Sequence, residues 1–356
     1  MSKASARNPR APRAPDVNAK PATGRALVVG TGRMARLRTP RLQSAGLQVT
    51  ITGRDAARTR QASADLSAQW VDYRRAARDT YDCVLVTSAS EDHLADLHAF
   101  LPTAPVTLCE KPVTTDVAEA GLLVESTAAM GAELYVGFQR RFDPSFEALR
   151  DRVRAGELGT LLHIRATDFD HEPGSREFIA KSGGIFRDLI IHDLDCLTWL
   201  TGRAIKTVHA YGSALVSDNY RQLDDCDTAT VSLVLDSGAL ATVNASRSNP
   251  LGQDVRMEIL GTRTAVSVGL TQSTPLRALE GSSLVGSANP PQDFMVRFAD
   301  AFRRETEHFA RYVTGQSDAF PGCTLQQAVN ASIAAEACDL SWRSGQPVSW
   351  AQIDGP

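Results

Sequence analysis

The sequence lacks the features that mark membrane, secreted and nucleic-acid-binding proteins. No apolar run approaches the roughly 18 residues that a transmembrane helix needs, and no apolar stretch of the secretory type stands at the N-terminus. The net charge is only −3 over 356 residues, so electrostatics favours neither a nucleic acid nor an acidic membrane as a partner. The six cysteines show no Cys-x-x-Cys spacing, which predicts reduced thiols in a cytoplasmic protein and no metal site.

The bulk composition is that of a soluble globular protein long enough for two domains. Hydrophobic residues make up 43% and charged residues 22% of the chain. Residues 1–24 differ, because they combine five basic residues and four prolines with a single acid, Asp16. Such a segment cannot bury a core, so it predicts a disordered basic tail. An organelle transit peptide is the alternative interpretation.

A glycine-rich turn near the start of the folded region predicts dinucleotide binding. A short apolar strand, Arg25–Val29, runs into Gly30–Ala35, which has the pattern G-x-G-x-x-A and opens a helix. The first glycine permits a tight turn, the second lets the backbone approach a pyrophosphate, and the small last residue lets helix pack on strand. The residues assigned to the cofactor site from this motif are Gly30, Gly32, Arg33 and Met34.

The end of the second strand, Gln48–Thr52, bears on the choice between NADP and NAD. A carboxylate there normally binds the adenosine ribose hydroxyls and selects NAD. Here Gly53 and Arg54 follow the strand, so glycine leaves room and the guanidinium can pair with a 2′-phosphate. This pair predicts NADP. Because strand ends are uncertain by a residue or two, Asp55 stays open as a ribose ligand, and that interpretation favours NAD.

Strands and helices alternate through residues 25–139, which predicts an α/β Rossmann domain with a doubly wound parallel sheet. Further strands are expected at 82–87, 106–109 and 133–138. Ligands in such sheets lie beyond the carboxyl ends of the strands. That rule adds Thr87, Glu110 and Lys111 to the predicted cofactor site. Lys111, which stands between an acid and a proline, is a candidate substrate ligand as well.

Residues 140–356 predict an α+β domain with a large, mostly antiparallel open sheet, which binds substrate and mediates oligomerisation. Strands are expected at 161–169, 205–216, 226–235, 239–247 and 254–268, and helices at 294–314 and 324–344. Helices on one face leave the other face half-exposed. The alternation of Val, Ile and Leu around 230–260 would then need a partner, which predicts a homodimer or homotetramer.

The segment Ser182–Leu200 combines a helical apolar pattern with several ionisable residues. Its apolar residues recur at steps of three and four, as in a helix, and Asp188, His192 and Asp195 share a second stripe. Charged side chains are costly to bury unless they are partnered. The stripe is therefore either the solvated edge of a surface helix or an acid/base pair. We favour the pair, because histidine exchanges protons near neutral pH. No chemistry is assigned to Asp193, which points elsewhere on the helix.

These residues together resemble the glucose–fructose oxidoreductase and inositol dehydrogenase (Gfo/Idh/MocA) family. The resemblance covers nearly all of residues 25–345 and rests on four sequence motifs. These motifs are Gly30–Ala35, Glu110-Lys111-Pro112, the sequence GFQRRFD at 137–143, and the segment from Gly183-Gly184 to His192-Asp193. The pattern is most similar to the inositol 2-dehydrogenase branch. Three positions depart from it: Gly53 stands where many members carry an acid, Arg38 where many carry a histidine, and Ala35 where many carry a third glycine.

The resemblance implies that Lys111, Asp188 and His192 form the catalytic set. It also implies hydride transfer between a nicotinamide and a secondary alcohol of a cyclic polyol or sugar. His192 would take the hydroxyl proton, and Lys111 would stabilise charge on the substrate oxygen. Asp188 would orient the substrate or the imidazole and favour the proton-bearing form of His192.

We expect the substrate to be a neutral or weakly charged cyclic polyol or sugar, bound between the two domains. Carboxylates and imidazoles suit a ligand with several hydroxyls. The further substrate ligands predicted on this basis are Arg140, Asp168, Asp170 and His171. Two alternatives stay open. One is an NADPH-dependent ketosugar or imine reductase of a biosynthetic pathway, and the other is a cofactor-binding regulator without catalysis.

Overall fold

The structure is a computed structural model that describes residues 24–114, 116–276 and 289–352, whose strands form two seven-stranded sheets. The predicted disordered tail lies outside the described residues except for Gly24, and so does most of the polar segment at 271–292. The predicted fold class, a Rossmann domain followed by a domain with a mostly antiparallel sheet, is confirmed.

The first sheet is the parallel sheet of a Rossmann domain. Its elements in chain order are β1 (Arg25–Val29), α1 (Arg33–Ser44), β2 (Gln48–Thr52), α2 (Ala56–Asp65), β3 (Gln69–Trp70), α3 (Tyr73–Ala76), β4 (Cys83–Val86), α4 (His93–Phe100), β5 (Val106–Glu110), α5 (Val117–Met130) and β6 (Glu133–Gly137). The strand order is β6-β5-β4-β1-β2-β3. Strands β1 and β4 are apolar and almost wholly buried, because helices cover both faces of a parallel sheet.

The second sheet and the C-terminal helices follow. Their elements are α6 (Pro144–Arg154), β7 (Leu161–Phe169), α7 (Arg176–Ser182), α8 (Ile191–Thr201), β8 (Ile205–Ser213), α9 (Asp218–Gln222), β9 (Thr228–Leu235), β10 (Leu240–Ser246), β11 (Asp254–Gly261), β12 (Ala265–Val268), α10 (Phe294–Arg297), α11 (Ala299–Val313), β13 (Cys323–Thr324), α12 (Leu325–Ser344) and β14 (Val348–Ser349). The strand order is β12-β11-β7-β10-β9-β8-β14, and only the β7–β10 pair is parallel.

Some elements end earlier than the sequence predicts. The helix expected at 56–69 stops at Asp65, and the chain then pairs as β3 with β2. The strand expected at 254–268 divides at Gly261, where a β-carbon would lie 2.1 Å from the Leu158 carbonyl oxygen. The chain beyond 140 also contributes to the first sheet, because β13 pairs antiparallel with β6.

The apolar alternation around 230–260 points to the inside of the second sheet. Val231, Leu233 and Val243 are buried under the helices. The opposite face carries mostly hydroxyl and amide side chains, such as Thr230 and Asn244, whose side chains are hydrogen-bonded across the strands. The prediction that the Val, Ile and Leu alternation forms the exposed face is therefore wrong. Period-two patterning shows which residues share a face but not which face the helices cover.

The segment predicted as one helix over 182–200 is interrupted near its start. Helix α7 ends at Ser182, and Gly183 and Gly184 both have positive φ, 80° and 90°, a conformation that residues with a β-carbon rarely adopt. A π-helical turn, Phe186–Ile190, follows and leads into α8. Such turns widen the helix and are frequent at functional sites. Here the turn carries Asp188, and α8 carries His192.

Helix α8 is buried, and two consecutive arginines neutralise its carboxylates. Arg140 and Arg141 lie in a 3₁₀ turn, Gln139–Phe142, directly after β6. Arg140 donates to Asp193, at 2.8 Å, and Arg141 makes a bidentate pair with Asp195, at 2.6 and 2.9 Å. The polar stripe is thus no solvated edge. It is buried, and each of these α8 carboxylates has an arginine partner.

Candidate active site

A cavity of about 960 Å³ lies where the carboxyl ends of the first sheet meet the second sheet. Most of the predicted site residues line it. They are Arg33, Met34, Glu110, Lys111, Arg140, Asp170, His171, Asp188 and His192. The remaining predicted residues do not reach its wall. They are Gly30, Gly32, Gly53, Arg54, Thr87 and Asp168.

The glycine-rich turn has room for a pyrophosphate. A β-carbon on Gly30, whose φ is 115°, would lie 2.8 Å from the backbone of Thr87 and Ser88, so only glycine fits there. At Gly32 a β-carbon would have no atom within 4 Å, which leaves open space over the start of α1. No side chain caps this 12-residue helix. Its first N–H groups and dipole therefore face the open space and suit a phosphate. The turn fits a dinucleotide.

The other predicted dinucleotide ligands have partners within the protein. The Thr87 hydroxyl donates to the Val29 carbonyl, at 2.9 Å. Arg54 forms ion pairs with Asp92, at 2.9 Å, and with Asp96, at 2.7 Å. Asp55 caps α2 by accepting from the Arg58 backbone N–H. Gly53 has no side chain to offer a ribose, and one oxygen of the Asp55 carboxylate is occupied by this cap.

Lys111 and Asp188 are in direct contact. The Lys111 ammonium donates both to the Asp188 side chain, at 2.8 Å, and to the Asp188 main-chain carbonyl, at 2.7 Å. Lysine has three donors, so one N–H remains. Because Lys111 lines the cavity, this N–H is available to a substrate oxygen. On the other side of the carboxylate, Arg247 approaches the second oxygen of Asp188 to 2.9 Å.

The surroundings of Asp188 keep it ionised. Burial alone would raise the pKa of this carboxyl, but Lys111 and Arg247 outweigh burial and lower the pKa to about 2. Asp188 makes no hydrogen bond to His192. The prediction that Asp188 favours the proton-bearing form of His192 is therefore wrong. The two cations already neutralise the carboxylate, and it acts on Lys111.

His192 is neutral at physiological pH. Burial lowers its pKa well below the usual 6.5, and the positive charges of Lys111 and Arg140 lower it further. The ring packs edge-on against Phe138, with 5.6 Å between ring centroids. Its Nδ1 is buried and has no hydrogen-bond partner among the described residues. A neutral imidazole on the cavity wall is ready to accept a proton from a hydroxyl.

Arg140 separates the cavity from two carboxylates behind it. One guanidinium nitrogen donates to Asp168 at 2.5 Å, and another donates to Asp193. Burial raises the pKa of Asp168, and the positive charge of Arg140 opposes this rise. The prediction that Asp168 contacts substrate is wrong, because the residue is fully buried and Arg140 stands at the cavity wall. Asp193, to which the sequence analysis assigns no chemistry, helps to hold Arg140 at the cavity wall.

Arg38 ties Glu110 to the C-terminal part of the chain. Its guanidinium, which is fully buried, donates to Glu110 at 2.6 Å and to Glu305 on α11 at 2.7 Å. Glu110 in turn lines the cavity beside Lys111. Arg38 thus occupies a structural position directly behind the Glu-Lys-Pro segment.

Several residues of the cavity wall were not predicted from the sequence. Arg247 and Gln253 follow or precede strands of the second sheet, and Phe178 lies on α7. His93 bridges the loops after β4 and β5 through contacts to the Ser88 and Pro112 carbonyls. No motif marks these residues, because they meet the catalytic set only through strand pairing and loop packing.

Among the described residues, no group of three or more His, Cys, Asp and Glu side chains is arranged to hold a metal ion. No helix in the described ranges is both long enough and apolar enough to span a bilayer.

Comparison with known proteins decides the family. A profile described as "Oxidoreductase family, NAD-binding Rossmann fold" matches residues 25–138, and one for the GFO/IDH/MocA C-terminal domain matches residues 146–267. Myo-inositol dehydrogenase Hyg17 of Streptomyces leeuwenhoekii is 36% identical over 66% of this chain and 70% of its own length. The chain belongs to the GFO/IDH/MocA oxidoreductase family. The family resemblance and the oxidoreductase activity predicted from the sequence are thereby confirmed.

Two further proteins illustrate the extent of the similarity. The scyllo-inositol 2-dehydrogenase (NAD(+)) of Bacillus subtilis is 32% identical over 75% of this chain and 77% of its own length. A crystal structure of a probable dehydrogenase from Thermotoga maritima superposes with a TM-score of 0.84 at 27% identity, and the match covers 92% of this chain and 99% of the other. The similarity thus includes both sheets.

The environment of His192 predicts an unusual titration. Because the folded-state pKa is lowered, the imidazole should stay neutral from alkaline pH down through 6.5 and gain its proton only at lower pH. Nuclear magnetic resonance of ¹⁵N-labelled histidines should therefore give a His192 midpoint below 6.5. Lys111→Met should raise that midpoint, since a neighbouring positive charge is removed. The His192→Asn spectrum identifies the resonance, and a midpoint at or above 6.5 in the unmodified protein would contradict this account.

Proposed function

We propose that the protein interconverts a secondary alcohol and a ketone on a neutral cyclic polyol of the inositol type. The observation that carries the proposal is the contact of Lys111 with Asp188 beside a neutral His192, all on the wall of a cavity that begins at the glycine-rich turn. Relatives named as inositol dehydrogenases support the substrate class. When bound, the nicotinamide supplies the hydride chemistry.

The residues on the cavity wall transfer the proton, stabilise charge and position the lysine. His192 accepts the hydroxyl proton of the alcohol, which avoids building positive charge on the reacting carbon. Lys111 donates its remaining N–H to the same oxygen and stabilises the negative charge that develops there. Asp188 fixes the Lys111 ammonium with two hydrogen bonds. Positioned proton transfer of this kind contributes about 10²–10⁴ in rate.

The charges on the cavity wall favour an uncharged substrate. Five cationic side chains line the cavity, and each has a carboxylate partner within the described residues. The pairs are Arg33 with Asp293, Lys111 with Asp188, Arg140 with Asp168 and Asp193, Lys181 with Glu91, and Arg247 with Asp170 and Asp188. A phosphate would have to compete with these carboxylates. Hydroxyls, which donate and accept, fit between paired charges without such competition.

A substrate panel tests the proposal. We expect turnover on myo-inositol or scyllo-inositol, little on glucose 6-phosphate, and none on an aliphatic alcohol, each measured with both nucleotides. Lys111→Met should lower kcat by at least two orders of magnitude, because the oxygen loses its charged donor. Nucleotide binding, followed by fluorescence, should change little.

Arg303→Met, which removes an exposed cation on α11 that does not line the cavity, is the matched control and should keep full activity. Turnover confined to a ketosugar or an imine in the reductive direction would favour the biosynthetic reductase instead. Nucleotide binding without turnover of any substrate would favour the non-catalytic regulator.

We propose that NADP(H) is the preferred nucleotide and NAD(H) the alternative. Support comes from the end of β2, where Gly53 stands in place of a carboxylate and one oxygen of Asp55 is occupied in capping α2. Arg54 is 42% exposed, and its pair with exposed Asp92 contributes little. Asp96 keeps hydrogen bonds from the Tyr73 and Ser88 hydroxyls when Arg54 turns away. The guanidinium can therefore exchange its carboxylates for a 2′-phosphate.

Dissociation constants of the unmodified protein should favour NADPH over NADH. Arg54→Leu should weaken NADPH binding about tenfold or more, since one charge-assisted contact to phosphate is lost, and should leave NADH within twofold. Asp92→Asn should act in the opposite direction by releasing Arg54. Arg60→Ala removes an arginine of α2 that stacks on Trp70 and serves as the control. Tighter NADH binding before any substitution would contradict the NADP proposal.

We propose that the protein is a homodimer or homotetramer assembled through the exposed face of the second sheet. On this face Tyr211 is 60% and Leu240 is 50% exposed, and Leu260 lies in the same cross-strand row as Leu240. A second copy of the chain would cover these groups.

Light scattering at micromolar concentration should report twice or four times the mass of the chain. Leu240→Glu should lower that mass, because a carboxylate would be buried at the contact. Asp236→Ala, in the turn before β10 on the same part of the chain, is the control. A monomer in the unmodified protein would refute the assembly.

A cytoplasmic location stays a proposal as well. All six cysteines are buried free thiols, as expected in a reducing compartment, and cell fractionation measures the location directly.

A further inference from the structure

Arg247 reaches the site through the one parallel strand pair of the second sheet. Strands β7 and β10 run parallel up to the Phe169–Ser246 pair. The next residues, Asp170 and Arg247, therefore follow the carboxyl ends of two neighbouring strands. The Asp170 N–H continues the ladder to the Ser246 carbonyl at 2.8 Å. Arg247 is only 4% exposed, yet it lines the cavity. Its position is therefore set by the sheet and not by a mobile loop.

One end of the Arg247 side chain is committed to two carboxylates. Its Nη1 lies 2.9 Å from one oxygen of Asp188 and 3.2 Å from Asp170. Lys111 holds the other oxygen of Asp188, at 2.8 Å. Arg247 is thus on the opposite side of the Asp188 carboxylate from Lys111. Its positive charge is already balanced, so it has no electrostatic need of an anionic ligand.

The other end of Arg247 has donors to spare. Its Nε and Nη2 make no hydrogen bond to any described residue. Beside it, Gln253 is 3% exposed and donates through Nε2 to Asp170 at 3.1 Å, while its Oε1 accepts nothing from the described part of the chain. Both residues line the cavity, so these free atoms are available to a ligand that can both accept and donate.

We propose that Arg247 and Gln253 form a specificity subsite for a ring hydroxyl of the substrate, on the side of Asp188 opposite to Lys111. The hydroxyl oxygen accepts from Arg247, and its proton is donated to the Gln253 carbonyl oxygen. This inference rests on the proposed polyol function. It adds that the enzyme selects cyclic polyols by a hydroxyl remote from the reacting carbon, and that it discriminates against rings that lack one.

A purely structural role for Arg247 predicts other effects of its removal than a substrate-binding role does. If the side chain only neutralised Asp170 and Asp188, its loss would lower the melting temperature and affect all substrates alike. A subsite for a remote hydroxyl affects only substrates that carry this hydroxyl, and it acts mainly on KM. The ratio of kcat/KM for two substrates therefore separates the two roles.

The experiment compares myo-inositol with trans-1,2-cyclohexanediol, which keeps a secondary alcohol and its neighbour but lacks the remote hydroxyls. The unmodified enzyme should prefer myo-inositol by at least two orders of magnitude, since sites built for hydroxyls reject analogues without them. Gln253→Leu, which is close in volume and carries no charge, should lower kcat/KM for myo-inositol about tenfold or more. The value for the diol should stay within about twofold.

Arg247 is tested in a charge-balanced form, because Arg247→Met alone leaves Asp170 buried without its cation. The double variant Arg247→Met with Asp170→Asn should reduce the preference for myo-inositol at least tenfold. Arg247→Lys keeps the charge but not the guanidinium fork, so it should restore stability more than preference. The double variant Arg256→Met with Asp254→Asn is the matched control, since it removes both members of a part-buried arginine–aspartate pair that lies off the cavity wall.

The outcomes are distinct. If the unmodified enzyme turns over no cyclic polyol, the proposed function fails and the subsite fails with it. If it turns over myo-inositol, but Gln253→Leu and the double variant keep the unmodified preference, the subsite alone is refuted. A fall in preference in both variants, with the Arg256→Met and Asp254→Asn double variant unchanged, supports it.

Discussion

The structure depends on two buried arginine–aspartate ion pairs between the turn after β6 and helix α8. Arg140 and Arg141 project from that turn into Asp193 and Asp195, and all four side chains are buried. Removing one member of such a pair leaves an uncompensated buried charge, at a cost of about 3–5 kcal/mol. Helix α8 can therefore occupy only the position where both pairs close. That position places His192 and the preceding π-helical turn against the carboxyl ends of the first sheet.

The same compensation governs the chemistry of the site. Lys111 is the charge that acts on both members of the Asp188–His192 pair, and its effect on the pKa has the same sign at each. It lowers the pKa of Asp188 because it stabilises the carboxylate, and it lowers the pKa of His192 because it disfavours the imidazolium. Together with burial of His192 and the second cation beside Asp188, Arg247, this ammonium keeps the acid charged and the base neutral at physiological pH. Two residues one turn apart thus acquire opposite charge states from their surroundings.

Local patterns in the sequence are sufficient to predict the Rossmann domain and to mark Lys111, Asp188 and His192 as candidates for catalysis. Each pattern lies in contiguous residues: the glycine turn, the Glu-Lys-Pro segment and the Asp188–His192 spacing. What the sequence does not contain is the pairing of distant strands. Arg247 meets Asp188 only because β10 lies parallel to β7, and Asp168 is hidden from the cavity only because Arg140 intervenes. Likewise, alternation in β9 and β10 identified two faces, but the position of the helices decided which one is exposed.

Arg38 shows how a departure from the family pattern can serve the same site. In the sequence it stands where many relatives carry a histidine, and in the structure it joins Glu110, next to Lys111, to Glu305 on α11. Burial raises the pKa of Glu305 to about 7 despite the arginine, so this carboxyl is near its titration point at neutral pH. A guanidinium, unlike an imidazole, cannot lose its charge in that range. The link from Arg38 to Glu110 therefore persists whichever form Glu305 takes, and the backbone that carries Lys111 stays fixed while the groups around it exchange protons.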